Sequence, residues 1–156
     1  GFSNSVLEHI PHIDDVLKET ARVLKPGAPF YFCVPNTRYF SELSISRVLG
    51  KPYENWFRKI SRVEHADEPD VWRERLERAG FEMIRYWHYF SPAAMRVLEW
   101  GHYFGVPSVF ARVLTGKWII SRTEWNLWLT KKYVSRYASP EPVENGTFTF
   151  YIAQKQ

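Results

Sequence analysis

Apolar residues recur along the chain with two different periods. Ile13, Val16, Leu17, Ala21 and Leu24 fall on one face at helical spacing. Pro11 precedes them, Asp14 and Asp15 sit where a helix dipole favours negative charge, and Lys25 lies at the far end. Pro26-Gly27 stops this helix. The run Phe30-Tyr31-Phe32-Cys33-Val34 is continuously apolar, as expected of a parallel strand covered on both faces, and Pro35-Asn36 ends it. Trp72, Leu76 and Ala79 form a second helical stripe. Asp67 or Glu68 can cap that helix, Pro69 suits its first position and Gly80 its end. Residues 81–90 are rich in aromatic and β-branched side chains and read as a strand. After a turn at Asn145-Gly146, residues 147–153 alternate, with Phe148, Phe150 and Ile152 on one face of a last strand. At the opposite end, Phe2-Ser3-Asn4-Ser5-Val6-Leu7 reads as the end of a strand running into a loop.

Two stretches are less regular. In residues 37–66, Leu43, Ile45, Val48 and Leu49 suggest a short helix ending at Gly50. Lys51-Pro52 is expected to break the chain before Trp56 and Phe57. Residues 92–137 carry helical patterns interrupted at Gly105-Val106-Pro107 and Gly116, and they concentrate the aromatics Trp100, Tyr103, Phe104, Phe110, Trp118, Trp125 and Trp128. Pro140 and Pro142 form a linker. Helices alternating with strands give an α/β fold, with residues 37–66 and 92–139 as helical insertions on the sheet's active edge. The last two strands are expected to pair antiparallel at an edge. No internal repeat or low-complexity tract is present.

Composition narrows this picture. The 156 residues make one domain, and an apolar fraction of 45% is enough for a core. Aromatics reach 17%, with 7 Trp; such a load fills a core, lines an apolar pocket or faces a membrane. The net charge of +4, from 21 basic and 17 acidic residues, reads as a mild excess spread along the chain, without the basic stripe of a nucleic-acid binder. Lys131, Lys132 and Arg136 are the densest cluster. They read as a solvated helix face, with anionic lipid contact as the second reading. The single cysteine, Cys33, cannot form an internal disulfide and reads as a buried structural thiol. No run of about 18 apolar residues exists to span a membrane, and the expected location is cytoplasmic.

Ser3-Asn4-Ser5-Val6-Leu7-Glu8-His9-Ile10-Pro11, followed by Ala21-Arg22-Val23-Leu24-Lys25-Pro26-Gly27 and later by Ala79-Gly80-Phe81, resembles the signature of class I S-adenosylmethionine-dependent methyltransferases. The likeness extends to the type 11, ubiquinone-biosynthesis-like subgroup. In that family a strand ends in a polar segment and a Leu-Glu-His stretch. A helix then ends in Arg-Val-Leu-Lys-Pro-Gly, and an apolar strand ends in Pro-Asn. The matches cover roughly two thirds of the chain and occur in the family's order. The resemblance implies the C-terminal half of a Rossmann-like sheet: the end of the fourth strand, the fifth and sixth, and an antiparallel seventh. It implies S-adenosylmethionine as cofactor. None of the 8 glycines makes the Gly-x-Gly that lets a backbone approach the cofactor, so the site is expected to be incomplete in this chain and the fragment inactive alone.

The candidate residues follow from the strand end. Ligands bind beyond the carboxyl ends of strands in open α/β sheets, which marks Asn4 and Ser5, with His9, as cofactor-binding. His9 is the candidate general base for a hydroxyl acceptor; packing at a helix start is its other reading. Methyl transfer itself needs little proton movement and gains most from proximity. Glu8, His65, Tyr39 and Trp56 are candidate acceptor-binding residues, with the two insertions as a lid. Core packing is the competing reading for the aromatics, and local capping or pairing for Glu8 and His65. Glu8 and His12, four residues apart, supply too few ligands for a metal site, and none is expected. The implied function is methyl transfer to oxygen, nitrogen or carbon of a small or lipid-like acceptor. A non-catalytic interaction or membrane-peripheral module is the alternative. No nucleic-acid partner is expected; peripheral membrane contact and a homo-oligomer joined at an open sheet edge are.

Overall fold

The computed structural model describes residues 1–104, 106–118, 124–137, 139 and 141–156. The break expected at Gly105 and the linker residue Pro140 lie outside the described residues. Four strands form one sheet in the order β1 (Phe2–Asn4), β2 (Pro29–Pro35), β4 (Phe148–Lys155), β3 (Phe81–Tyr89). β1 runs parallel to β2, while β4 runs antiparallel to both β2 and β3. The expected antiparallel pairing of the last two strands is present at the sheet edge, with β3 outermost and β4 inside it. It inserts between β2 and β3 because its side chains can be buried on both faces. β1 covers part of the outer edge of β2, pairing with Tyr31, Phe32 and Cys33.

One face of the sheet is covered by α1 (Ile13–Val23) and α5 (Pro69–Ala79). Ile13, Leu17 and Ala21 from α1 and Trp72 and Leu76 from α5 pack on Phe30, Phe32, Phe81 and Tyr151. The α1 stripe is as the spacing predicts, but the helix ends at Val23, so Lys25 stands in the turn beyond and Arg22 is the cation of the last turn. Pro69 opens α5, and Gly80 ends it with φ 88°, where only glycine is unstrained. The period-two reading of β4 holds, with Phe148, Phe150 and Ile152 on one face. Thr149, Tyr151 and Ala153 are fully buried under α1 and α5, whereas Phe148, Phe150 and Ile152 are half-buried on the other face. The bulkier residues lose to the face that the helices cover.

Residues 37–66 hold more helix than their pattern suggests: α2 (Arg38–Ser41), α3 (Ser46–Leu49) and α4 (Lys51–Ser61). Pro52 does not break the chain. It falls in the first turn of α4, where its missing N–H has no partner to lose. Residues 92–137 contain α6 (Pro92–Phe104), α7 (Val106–Thr115) and α8 (Glu124–Ser135). The two insertions are tied by Glu99, which is fully buried on α6. Its carboxylate accepts from the backbone N–H of Ser44 (2.6 Å) and Ile45 (3.3 Å) and from the Tyr53 hydroxyl (2.6 Å). They share a core of Tyr39, Phe40, Leu43, Tyr53, Phe57 and Met95, separate from the one under α1 and α5.

Candidate functional site

β1 ends at Asn4, and Ser5 leaves the sheet with φ 51°, after its N–H makes a last rung to the Cys33 carbonyl at 3.2 Å. A 3₁₀ turn over Leu7–His9 follows. Leu7 goes into the core, and Glu8 and His9 line a cavity of about 480 Å³ together with Asn4, Ser5 and Tyr39. The turn is pinned because the Glu8 carbonyl accepts from the N–H groups of Glu64 (2.7 Å) and His65 (3.1 Å).

Glu8 is the unusual member. It is 2% exposed, and its Oε2 has no hydrogen-bond partner. Burial raises the proton affinity of its carboxyl above the ordinary value, partly offset by a backbone hydrogen bond and by His9. Oε1 lies 3.8 Å from His9 Nε2. His9 Nδ1 is 2.8 Å from the Arg62 carbonyl oxygen. A carbonyl only accepts, so Nδ1 carries the proton and the neutral ring keeps Nε2 as its basic nitrogen. His9 is thus oriented as a general base must be, with Nε2 on the Glu8 side.

Two phenols complete the polar part of the cavity. Burial, helped by the Glu8 charge and opposed by a Ser61 hydrogen bond, pushes Tyr39 up to about 12. Burial first, then a hydrogen bond with the Cys33 thiol, holds the Tyr89 hydroxyl far above its usual range. Both stay protonated at neutral pH; Tyr89 directs its proton to the Cys33 sulfur, whereas Tyr39 accepts from Ser61 and keeps its own to donate. The Cys33 thiol also donates to Asn4 Oδ1 at 2.8 Å, which leaves the Asn4 amide NH₂ as the group offered to a ligand. Cys33 itself is buried, as expected of a structural thiol. All three described non-glycine residues with left-handed φ belong to this site: Ser5 (51°) and Phe90 (64°) line the cavity, and Arg62 (54°) presents the carbonyl that holds His9. Strained backbone of this kind persists where the surroundings impose it and clusters at functional sites.

The structure therefore brings Asn4, Ser5, Glu8, His9 and Tyr39 together and leaves two candidates elsewhere. His65 turns Nε2 to the Ile10 carbonyl at 2.9 Å, with Nδ1 3.7 Å from Asp67, and packs edge-on to Trp72. Trp56 lines a separate cavity of about 410 Å³, stacked on Tyr103. Tyr89, Phe90, Ser61 and Phe148 also border the site, and no linear motif marks them. Phe90 and Leu98 are shared with a further cavity of about 420 Å³, whose lining includes Ala94, Val97, Val134 and Tyr137. Among the described residues, no group of three or more His, Cys, Asp or Glu side chains could hold a metal ion.

Strand order β1-β2-β4-β3, with β4 reversed, is that of the fourth, fifth, seventh and sixth strands of the class I S-adenosylmethionine-dependent methyltransferase sheet, and the chain carries that fold. The chain is 33% identical over 99 residues to the ubiquinone/menaquinone biosynthesis C-methyltransferase UbiE of Brucella canis, an alignment covering 51% of this chain and 35% of that protein. The corresponding protein of Brucella anthropi is 32% identical over the same length. The chain thus spans about a third of the length of the curated relatives it matches. Among solved structures, the phosphoethanolamine N-methyltransferase 2 of Haemonchus contortus, in complex with S-adenosyl-L-methionine, superposes with TM-score 0.52 at 18% identity, over 99% of this chain and 32% of that one. The [4+2]-cyclase SpnF superposes with TM-score 0.55 at 14% identity, over 99% and 48%. No protein-family model matches the chain.

Proposed function

We propose that this chain contributes the acceptor side of an S-adenosylmethionine-dependent methyltransferase related to the type 11, ubiquinone-biosynthesis-like group, and transfers methyl to a small or lipid-like acceptor. The observation that carries this reading is the cavity at the carboxyl ends of β1 and β2. There a buried carboxylate with an unpaired oxygen stands beside a histidine whose Nε2 is free to accept a proton. The fold alone would not suffice, since a cyclase shares it.

The residues present suit the methionine end of S-adenosylmethionine. Glu8 Oε2 lacks a donor that an ammonium would provide, and Asn4 and Ser5 add polar groups at the strand end. When bound, this cofactor supplies an electrophilic methyl. His9 takes the acceptor proton at Nε2, and the Arg62 carbonyl fixes the ring so that the acceptor meets the correct nitrogen. Tyr39 orients the acceptor as a neutral donor, and Tyr89, whose proton goes to Cys33, offers it a hydroxyl oxygen. The adjoining cavity beyond Phe90 and Leu98 suits an apolar part of the acceptor. Residues 37–66 and 92–139, joined through Glu99, form its lid. The Trp56 cavity and the His65 clamp shape that lid without reaching the acceptor. A cytoplasmic setting accords with this reading, and no helix among the described residues is long and apolar enough to cross a membrane.

Titration calorimetry of the full-length protein with S-adenosylmethionine tests this. Binding at micromolar to submillimolar ligand, weakened by Asn4→Ala, is expected; no heat at millimolar ligand would remove the proposal. His9→Ala should lower turnover about a hundredfold or more while the melting temperature holds, in line with loss of a general base. A collapsed melting temperature with full rate in the remaining folded enzyme would make His9 structural.

A further inference from the structure

α7 is an amphipathic helix turned inside out. Val109, Phe110, Val113 and Leu114 fall within one arc of about 140° on a helix of 3.6 residues per turn. They are the exposed side: Phe110 is 65% exposed, Val113 77% and Leu114 83%. Among the described side chains of the helix, the half-buried ones are the small residues Ser108 and Ala111. A solvated helix does the reverse, so this face is shaped for a non-aqueous neighbour.

Charge says which neighbour. Residues 106–137 hold six basic residues and one acidic one, while the remaining 124 residues carry a net charge of −1. The excess is therefore not spread along the chain; all of it lies in the segment that bares the apolar face. Arg112, Lys117, Lys131, Lys132 and Arg136 are exposed. Three of them stand over aromatic rings: Arg112 over Trp118 (4.8 Å), Lys132 over Trp128 (5.2 Å) and Arg136 over Tyr137 (4.8 Å). Trp and Tyr with adjacent cations are the side chains that settle at the headgroup level of a bilayer, where rings meet the acyl boundary and cations meet lipid phosphates. A second copy of this chain would bring the same positive charge against itself.

We propose that α7 and α8 form a docking surface for an anionic lipid bilayer, with Phe110, Val113 and Leu114 entering the interface and the exposed cations of the same segment holding phosphate and carboxylate headgroups. The inference stands on surface chemistry and does not depend on methyl transfer.

Cosedimentation of the full-length protein with vesicles of phosphatidylcholine, with and without 30% phosphatidylserine, tests it. Binding should require the anionic lipid and weaken as salt rises. Val113→Ser with Leu114→Ser should weaken binding by roughly tenfold per side chain. Lys131→Gln with Lys132→Gln should weaken it by roughly fivefold per cation. All four positions are exposed, so circular dichroism should show an unchanged fold in both variants. No binding to anionic vesicles overturns the proposal, as does equal binding to both vesicle types. So does a dimer in light scattering that the Val113 and Leu114 substitutions dissolve while vesicle binding is absent.

Discussion

Replacing Glu8 with glutamine should make the protein more stable at neutral pH and leave it nearly unchanged in acid. Wild-type Glu8 is buried, and one of its oxygens has no donor. An unsatisfied buried charged group costs at least about 1–3 kcal/mol. The pH dependence has a fixed sign. The folded protein holds the Glu8 proton more tightly than the unfolded chain, whose carboxyl titrates at its ordinary value near 4.5. Below that value both states are protonated, and the native state bears no charge penalty. As pH rises the unfolded chain ionises first, so stability falls until native Glu8 ionises as well. Glutamine titrates in neither state. The Gln variant should therefore gain about 1–2 kcal/mol at pH 8 and close to nothing at pH 4. Urea unfolding followed by far-ultraviolet circular dichroism at pH 4, 6 and 8 measures it. A difference that is constant across pH, or a loss of stability at pH 8, would refute the reasoning. The same variant should bind S-adenosylmethionine more weakly in the full-length protein, because the stability gained is the interaction withheld from the ligand.

Glu99→Ala should destabilise the protein by about 3 kcal/mol, since it leaves two partly buried backbone N–H groups without their acceptor and the Tyr53 hydroxyl with Tyr103 alone; thermal unfolding checks it, and a change under 0.5 kcal/mol would count against the clamp. Gly146→Ala should displace the end of β3 and weaken acceptor binding more than cofactor binding, because a Cβ there would lie 2.4 Å from the Tyr89 carbonyl oxygen; a crystal structure of the variant with Tyr89 unmoved would refute it. The 156-residue chain by itself should show no appreciable S-adenosylmethionine affinity, because few contacts remain to offset the roughly 4–15 kcal/mol of lost rigid-body freedom. It should also self-associate through β1, whose outer edge has no neighbour among the described strands; light scattering that gives a clean monomer of 18.5 kDa, with millimolar affinity or better, would overturn both expectations.

Much of the fold was readable because α1 and α5 carry strong single-face patterns with clear stops at Pro26-Gly27 and Gly80, and β2 a continuous apolar run. Which face of β4 is the buried one was not readable. Alternation gives the period, but which face is buried depends on where α1 and α5 pack, and Thr149 is a poor advertisement for a core position. Pro52 misled for a related reason, since a proline breaks a helix only beyond its first turn. At the site, Asn4, Ser5, Glu8 and His9 fall within one short stretch of sequence, so one motif delivered them together. Tyr89 and Phe90 come from the end of β3 and Ser61 from the end of α4, which only the folded sheet edge assembles. His65 and Trp56 lie near the site in sequence order, yet the Ile10 carbonyl and Tyr103 engage them first.

The three left-handed residues Ser5, Arg62 and Phe90 give protein engineers a warning. Each sits where glycine would relieve about 1 kcal/mol or more of backbone strain, set against the extra chain entropy glycine brings. A library screened for heat resistance alone would favour relaxing these positions. Arg62→Gly would loosen the carbonyl that aims His9, and Phe90→Gly would open the wall between the two adjoining cavities. Thermostable winners from such a screen should be enriched in slow or unselective enzymes, and holding these three codons fixed should keep the library catalytically useful.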